Sequence, residues 1–167
     1  MVPIVSRAAA CAQLLRHFTE TLRTWPAGTA LALRHPDLPK AVLHGGVTMG
    51  LALDFDEEGP DDASAVFTIR YWVIGATPEN SDRYFDLLVA AWQADGRPTR
   101  VEQAHPRAGY AETTDGYRLS ASRSLNGYLS VAGSTPPFRL RGPHGPHSPN
   151  GSGGTGGSGL LPPRIEL

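Results

Sequence analysis

Apolar residues return at helical spacing near the start of the chain. On a helix from Ser6 to about Trp25 they fall on one side, in the set Cys11, Leu14, Leu15, Phe18, Leu22 and Trp25. Ser6 can cap this helix, and Pro26 with Gly28 ends it. A helix with a single apolar side packs against another apolar surface, so we expect this helix to lie on a sheet.

A second helix is predicted between Thr77 and Gly96. Thr77 is the predicted N-cap, Pro78 suits the first turn, and Gly96 suits the C-terminal cap. The apolar side covers nearly half the circumference and consists of Phe85, Leu88, Val89 and Trp92, widened by Tyr84, Leu87 and Ala91. An apolar arc this wide predicts that a sheet covers the helix on one broad side.

The remaining segments have the patterns of strands. Residues 47–55 alternate apolar and polar side chains, and residues 65–74 are rich in β-forming residues on both faces, which predicts a central strand. Residues 30–33 are a weaker candidate. After the second helix the candidates are residues 100–103, 110–113, 117–125 and 128–132, with hairpin turns at Asp115-Gly116 and Asn126-Gly127. Both dipeptides suit two-residue turns, which need positive φ.

The strands cluster instead of alternating with helices, which argues against a doubly wound parallel sheet. The order α-β-β-(β)-α-β-β-β-(β) predicts an α+β fold, with two helices on one face of a mainly antiparallel sheet. We assign this single domain to residues 1–141. All eighteen residues from Gly142 to Gly159 are Gly, Pro, Ser, His, Asn or Thr. Such a stretch buries no apolar surface, so residues 142–167 are expected to be a disordered tail, with no stable docking of residues 160–167.

The overall charge narrows the classes of partner. The net charge is −1, so the composition has no basic excess for nucleic acid, and we expect no nucleic-acid partner. No uncharged apolar run approaches the ~20 residues that span a bilayer. We therefore expect a cytoplasmic protein without membrane insertion.

Cys11 is the only cysteine of the chain, so no disulfide forms within it. The sequence Ala-Ala-Ala-Cys ending at Cys11 faintly resembles a lipoprotein cleavage box. A secretory signal has a basic region followed by ~7–15 apolar residues, whereas Arg7 interrupts the run here and nothing basic precedes it. We expect Cys11 to lie on the buried side of the first helix, where it is a poor nucleophile.

The acidic stretch that begins Asp54-Phe55-Asp56 is the best metal candidate. With Glu57, Glu58 and Gly59 it matches the first half of a calcium-binding loop. The match then fails, because Ala65 stands where the twelfth position needs a bidentate glutamate. We therefore predict a solvated hairpin turn and no metal site.

No catalytic or cofactor-binding residue follows from a motif. The sequence has no nucleophile elbow, no P-loop and no dinucleotide fingerprint. The histidines have no partner at metal-ligand spacing on a helix, so no site is assigned to His17, His35, His44 or His105. Tyr110, Tyr117 and Tyr128 on successive strands could line one sheet face as a partner surface, although cross-strand pairing alone would also explain them.

Two stretches resemble a known family, residues 71–96 and residues 114–138. The first has Gly-x-x-Pro-Glu opening a helix that ends Ala-Ala-Trp-Gln-Ala-Asp-Gly. The second has Thr-Asp-Gly-Tyr-Arg-Leu-Ser, then Asn-Gly-Tyr-Leu-Ser-Val and Ser-Thr-Pro-Pro-Phe. Together they resemble small actinobacterial lipoprotein-like proteins. The resemblance implies no catalytic residues. Pro137 stands where that family has a terminal cysteine, which suits a cytoplasmic version of the domain or a true start upstream.

Three hypotheses of function remain open. The first is a non-catalytic binding or accessory module, whose sheet face or edge strand holds a protein partner or a second copy. An antiparallel sheet with helices on one side leaves its other face available for this purpose. The second is an enzyme with an unrecognised polar site around His44, Asp54, Asp56 and His105. The third is an envelope lipoprotein, membrane-anchored, whose true start lies upstream.

Overall fold

The computed structural model describes residues 6–49, 64–104, 106–139 and 161–167. Within these residues the elements are α1 (Arg7–Leu22), β1 (Ala30–Ala32), β2 (Gly45–Met49), β3 (Ser64–Ile74), α2 (Ser81–Ala94), β4 (Thr99–Glu102), β5 (Arg107–Glu112), β6 (Arg118–Arg123), β7 (Leu129–Ser134), β8 (Phe138–Arg139) and β9 (Arg164–Glu166). All paired strands among them run antiparallel. The predicted α+β class is confirmed.

β3 is the strand that organises the sheet. The strand order is β4-β5-β6-β7-β3-β1-β9, with β2 and β8 also paired to β3. On one edge of β3, β1 pairs with its last residues and β2 with its first half. On the other edge, β7 pairs with its middle and β8 with its start. The prediction that residues 65–74 form a central strand is confirmed.

Both helices pack on the same face of this sheet. Alternate residues of β3 point to that face and are buried, namely Ala65, Phe67, Ile69, Tyr71 and Val73. α1 packs against β7, β8 and β9, and α2 packs against β4 and β6. Phe85, Leu88 and Trp92 of α2 are each at most 2% exposed, so the predicted packing of the second helix is confirmed.

Two glycines allow the helices to approach the sheet closely. A Cβ at Gly133 on β7 would lie 2.6 Å from Leu14 Cδ1 and 2.9 Å from Phe18 Cζ, both on α1. A Cβ at Gly109 on β5 would lie 3.2 Å from the Phe85 ring. The missing side chains therefore set the distance between the two layers.

The ends of the helices and the turns are governed by local signals. The Ser6 side chain accepts a hydrogen bond from the Ala9 N–H at 3.2 Å, as its predicted capping role requires. The second helix starts later than predicted, because Asn80 and not Thr77 is the N-cap. The Asn80 carboxamide oxygen instead accepts the Thr77 N–H at 2.7 Å. Gly116 and Gly127 have φ of +86° and +85°, as the predicted hairpin turns require.

The C-terminal residues correct the sequence prediction. Residues 161–167 dock as part of the sheet, with β9 paired to β1 and both Leu161 and Ile165 buried. The Tyr71 hydroxyl donates to the Pro162 carbonyl at 2.8 Å, and the Leu33 N–H donates to the Pro163 carbonyl at 3.0 Å. The expectation that residues 160–167 do not dock is therefore wrong for residues 161–167. Two apolar side chains suffice because the unpaired edge of β1 supplies backbone partners.

Neither α1 nor α2 has the length and apolar sequence of a bilayer-spanning helix, and the described residues form no other helix.

Replacing Trp92 by alanine should lower the free energy of unfolding by about 3–5 kcal/mol, the range for truncating a large buried aromatic residue. Its indole N–H has no hydrogen-bond partner among the described residues, so the loss reports packing alone. Urea unfolding measures it. Leu125→Ala is the control, since that side chain is 76% exposed and should cost under ~0.5 kcal/mol. A loss below ~1 kcal/mol for Trp92→Ala would contradict the burial of α2.

Gly133→Ala should lower the free energy of unfolding by about 1–3 kcal/mol, because the added methyl group overpacks the contact between β7 and α1. Gly46→Ala is the matched control, since a Cβ at that strand position meets nothing within 4 Å. The control should stay within ~0.5 kcal/mol of the native protein in the same urea titration. Equal effects of the two changes would rule out close packing at Gly133.

Candidate functional site

The face of the sheet opposite the helices is divided into a covered and an open part. Residues 33–44 cover the part near Trp72, whose indole N–H donates to the Ala41 carbonyl at 2.9 Å. The His35 ring lies edge-on to Trp72 and Tyr128, with centroid distances of 6.1 and 5.0 Å. His35 is therefore buried by aromatic neighbours and contributes to packing, and the open part begins beyond it.

The open part contains a cavity of about 450 Å³. The strand register aligns its residues in two rows across the sheet. The first row runs Arg70, Ala132, Ser120, Tyr110 and Arg100, and the second runs Thr68, Ser134, Arg118 and Glu112. Small side chains form the centre of the first row and long ones its ends, so the surface is concave. We call this cavity, with the residues of both rows, the arginine hollow.

The three arginines of the hollow differ in their contacts. Arg70 is half-buried and donates from Nη1 to the Ser130 hydroxyl at 3.0 Å. Arg100 lies over the Tyr110 ring, 4.7 Å from its centroid, and its Nη2 is 3.2 Å from Glu102 Oε1. Arg118 is exposed, and its side chain makes no hydrogen bond or ion pair with any described residue. Two of the three guanidinium groups thus have no carboxylate partner in the part of the chain that the structure describes.

The hollow is lined mainly by hydrogen-bond donors and hydroxyl groups. Guanidinium groups bind carboxylates and phosphates through paired N–H donors. The Thr68 and Ser134 hydroxyls, 2.8 Å apart, add further hydrogen-bonding groups at one end. Among the described residues, Glu112 is the only acid that lines the cavity. Among the described residues no group of three or more His, Cys, Asp and Glu side chains has metal-binding geometry.

The polar residues that the sequence singled out are only partly described. His44 is exposed and directly precedes β2. Asp54, Asp56 and His105 lie outside the described residues, and so does the acidic stretch considered for calcium. The structure therefore leaves that constellation as a hypothesis. Cys11 is 2% exposed on α1, as predicted, and burial raises the pKa of its thiol against the opposing effect of Arg7.

The three tyrosines do not share one face. Tyr110 lines the hollow, and Tyr128 contacts His35 on the same side of the sheet. Tyr117 lies on the helix side instead, where its hydroxyl donates to the Ala10 carbonyl at 3.1 Å. The possibility of a single tyrosine-lined surface is therefore wrong, because the register of the hairpin turns Tyr117 towards α1.

His17, to which the sequence assigned no site, makes a long-range contact. It is buried on α1, and its Nε2 lies 3.2 Å from Asp115 Oδ2 in the turn before β6. Its Nδ1 is 3.6 Å from Glu20 Oε2, and the Gln13 side chain donates to the same Asp115 oxygen at 3.2 Å. His17 and Asp115 are 98 positions apart in the sequence, so no local pattern could have linked them.

The His17–Asp115 contact shifts the ionisation of the carboxyl group. Partial burial opposes ionisation of Asp115. Hydrogen bonds from Thr113 and His17, with the nearby imidazole, outweigh that effect, so the pKa of Asp115 lies below its ordinary value. This pair ties α1 to the hairpin and lies on the helix side, away from the arginine hollow.

No family model, no curated protein and no solved structure matches the chain.

Asp115→Asn should reduce the loss of stability in acid. Because the native pKa is lowered, the ionised carboxylate stabilises the folded protein above the unfolded-state pKa of about 3.9. That contribution is lost as the pH falls through the native pKa. Urea midpoints measured from about pH 5 to about pH 3 should fall less steeply in the variant. Asp37→Asn removes the same charge at an exposed position and should parallel the native protein; identical curves for all three chains would contradict the shift.

Proposed function

We propose that the protein is a non-catalytic binding module that holds an acidic, extended segment of a protein partner in the arginine hollow. The observation that carries this proposal is the row from Arg70 to Arg100. Positive side chains stand at both ends of a concave floor made of Ala132 and Ser120. Carboxylates aligned along that floor would meet guanidinium groups at each end.

The spacing of the row indicates the length of the ligand. Arg70 on β3 and Arg100 on β4 are separated by four strand-to-strand steps, or roughly 19 Å at ~4.8 Å per step. An extended peptide rises ~3.3 Å per residue, so about six residues span the hollow. Arg118, in the second row, lies between these ends and can bind a central carboxylate. A peptide with acidic residues distributed along this length would contact all three arginines.

The charge pattern favours an acidic protein segment over a nucleic acid. Three arginines on a chain with net charge −1 form a local attraction without a general basic surface. Nucleic-acid binding relies on the neutralisation of several successive phosphates along a basic stripe. Glu112 in the second row would repel a continuous line of phosphates, whereas a peptide can place a neutral residue there.

A defined peptide tests this proposal directly. The probe is a fluorescent peptide of about twelve residues that alternates Glu and Ser, so that acidic side chains fall on one side of the extended chain. Fluorescence anisotropy should show saturable binding that weakens with added salt. The same peptide with Gln in place of Glu should not bind. Equal binding of both peptides, or none at ~1 mM peptide, a Kd equivalent to only ~4 kcal/mol, would refute the proposal.

Two changes to the protein separate the hollow from general electrostatics. Arg70→Gln and Arg118→Gln, each made alone, should weaken binding about tenfold or more, since each removes a charged hydrogen-bond donor. Arg83→Gln is the matched charge control, because Arg83 is exposed on α2 on the helix side of the sheet. Ser120→Phe fills the floor without changing the charge and should also abolish binding. An effect of Arg83→Gln as large as that of an arginine of the hollow would contradict the assigned site.

A further inference from the structure

The edge of β1 carries a second surface with the features of a peptide-binding site. β9 covers it in the register Ala30–Glu166, Leu31–Ile165 and Ala32–Arg164. Ile165 and Leu161 fill the adjoining apolar surface and are 6% and 9% exposed. This is the arrangement in which an extended peptide adds a strand to a sheet edge: backbone pairing supplies affinity and pockets for alternate side chains supply specificity.

Among the described residues, this segment contacts β1, α1, Tyr71 and Leu33. β9 lies at the end of the strand order and pairs with β1 alone. Two further hydrogen bonds hold the residues before it, from the Tyr71 hydroxyl to Pro162 and from the Leu33 N–H to Pro163. Each of these acceptors is a backbone carbonyl, so any extended segment with aliphatic side chains at the same spacing can reproduce them.

The connection to the rest of the chain does not restrict this segment to its own sheet. Twenty-one residues, 140–160, separate β8 from Leu161. From the strand register, the two attachment points are roughly 20 Å apart at ~4.8 Å per strand and ~3.3 Å per residue. A connection of that length can span up to about 70 Å. It therefore reaches the β1 edge of a neighbouring copy as well as its own.

We propose that residues 161–167 form an exchangeable strand, and that the edge of β1 also accepts the same residues of a second copy of this chain. Within one chain the segment is present at an effective concentration of the order of mM, so exchange between copies is held back under dilute conditions. It becomes dominant wherever the connection can no longer reach the chain's own β1. The two copies would then be joined by reciprocal β9 strands, each in the register observed here.

Shortening the connection tests the proposal. With residues 142–159 deleted, three residues remain between Arg139 and Leu161, and they span at most about 14 Å. That is less than the ~20 Å that docking on the same copy requires. The shortened chain should therefore be a dimer in sedimentation-velocity experiments, while the full chain at the same concentration is a monomer. Ile165→Asp in the shortened chain removes the apolar contact and should return it to a monomer.

A shortened chain that is monomeric and keeps the native circular dichroism spectrum would overturn the proposal. A dimer of the shortened chain that persists unchanged with Ile165→Asp would also overturn it. If the shortened chain does not fold, a second measurement decides. The full chain carrying Ile165→Asp is mixed with a synthetic peptide of residues 160–167, which carries the native Ile165. Peptide at about ten times its Kd should raise the melting temperature by roughly 3–5 °C. The same peptide with Asp at that position is the control.

No rise up to ~1 mM native peptide, or an equal rise with the control peptide, would show that the β1 edge does not accept the segment from outside. Should Ile165→Asp prevent folding even with the peptide, Ile165→Ala in the full chain takes its place under the same criteria. None of these changes touches the arginine hollow, so the peptide assay for that surface can succeed or fail independently.

Discussion

The alternation of side chains along β3 is the constraint on which the rest of the structure depends. All eleven of its residues, Ser64 to Ile74, pair with at least one of the neighbouring strands β1, β2, β7 and β8. Its odd-numbered residues lie under the helices and its even-numbered residues face the other side. A slip of one residue would exchange these two sets. Tyr71 would then face solvent and Arg70 the core, which the cost of burying an unpaired charge forbids.

The same alternation explains why one face is packed and the other concave. On the helix side, Gly133 and Gly109 have no side chain at the positions where α1 and α2 pack closely on the sheet. On the other side, Ser120 and Ala132 are small enough to leave a floor between the long residues at the ends of the row. Neighbouring residues of β7, Ala132 and Gly133, thus serve opposite requirements, an open cavity on one face and close approach on the other. Both depend on the register with β3.

Short-range sequence signals predicted the helices, strands and turns. The arginine hollow and the His17–Asp115 contact depend on pairing between distant parts of the chain. The cap at Ser6, the glycines of the two hairpins and the apolar stripe of α2 act within a few residues, so the sequence carries them directly. The arginine hollow needs the register of five strands, which no local pattern specifies. The contacts of His17 and the sheet face of Tyr117 could not be predicted for the same reason, since they depend on how α1 crosses the hairpin. Asn80 is the N-cap in place of Thr77, and its side chain bonds backwards to the Thr77 N–H without capping the helix.

The docking of residues 161–167 illustrates how much an edge contributes to a short segment. Judged alone, two prolines and a few aliphatic residues cannot offset the ~1–2 kcal/mol per residue that ordering a backbone costs. The edge of β1 changes that balance, because it offers unpaired backbone groups and an apolar surface already formed by the core. The prolines even assist, since Pro162 and Pro163 lack N–H groups but keep the carbonyls that Tyr71 and Leu33 require. The edge of β1 and the apolar surface beside it supply most of this stabilisation. Whether the added strand comes from the same chain or another therefore matters less than its side chains and backbone groups. By the same reasoning, the proposed exchange with a second copy depends more on the edge of β1 than on the segment that covers it.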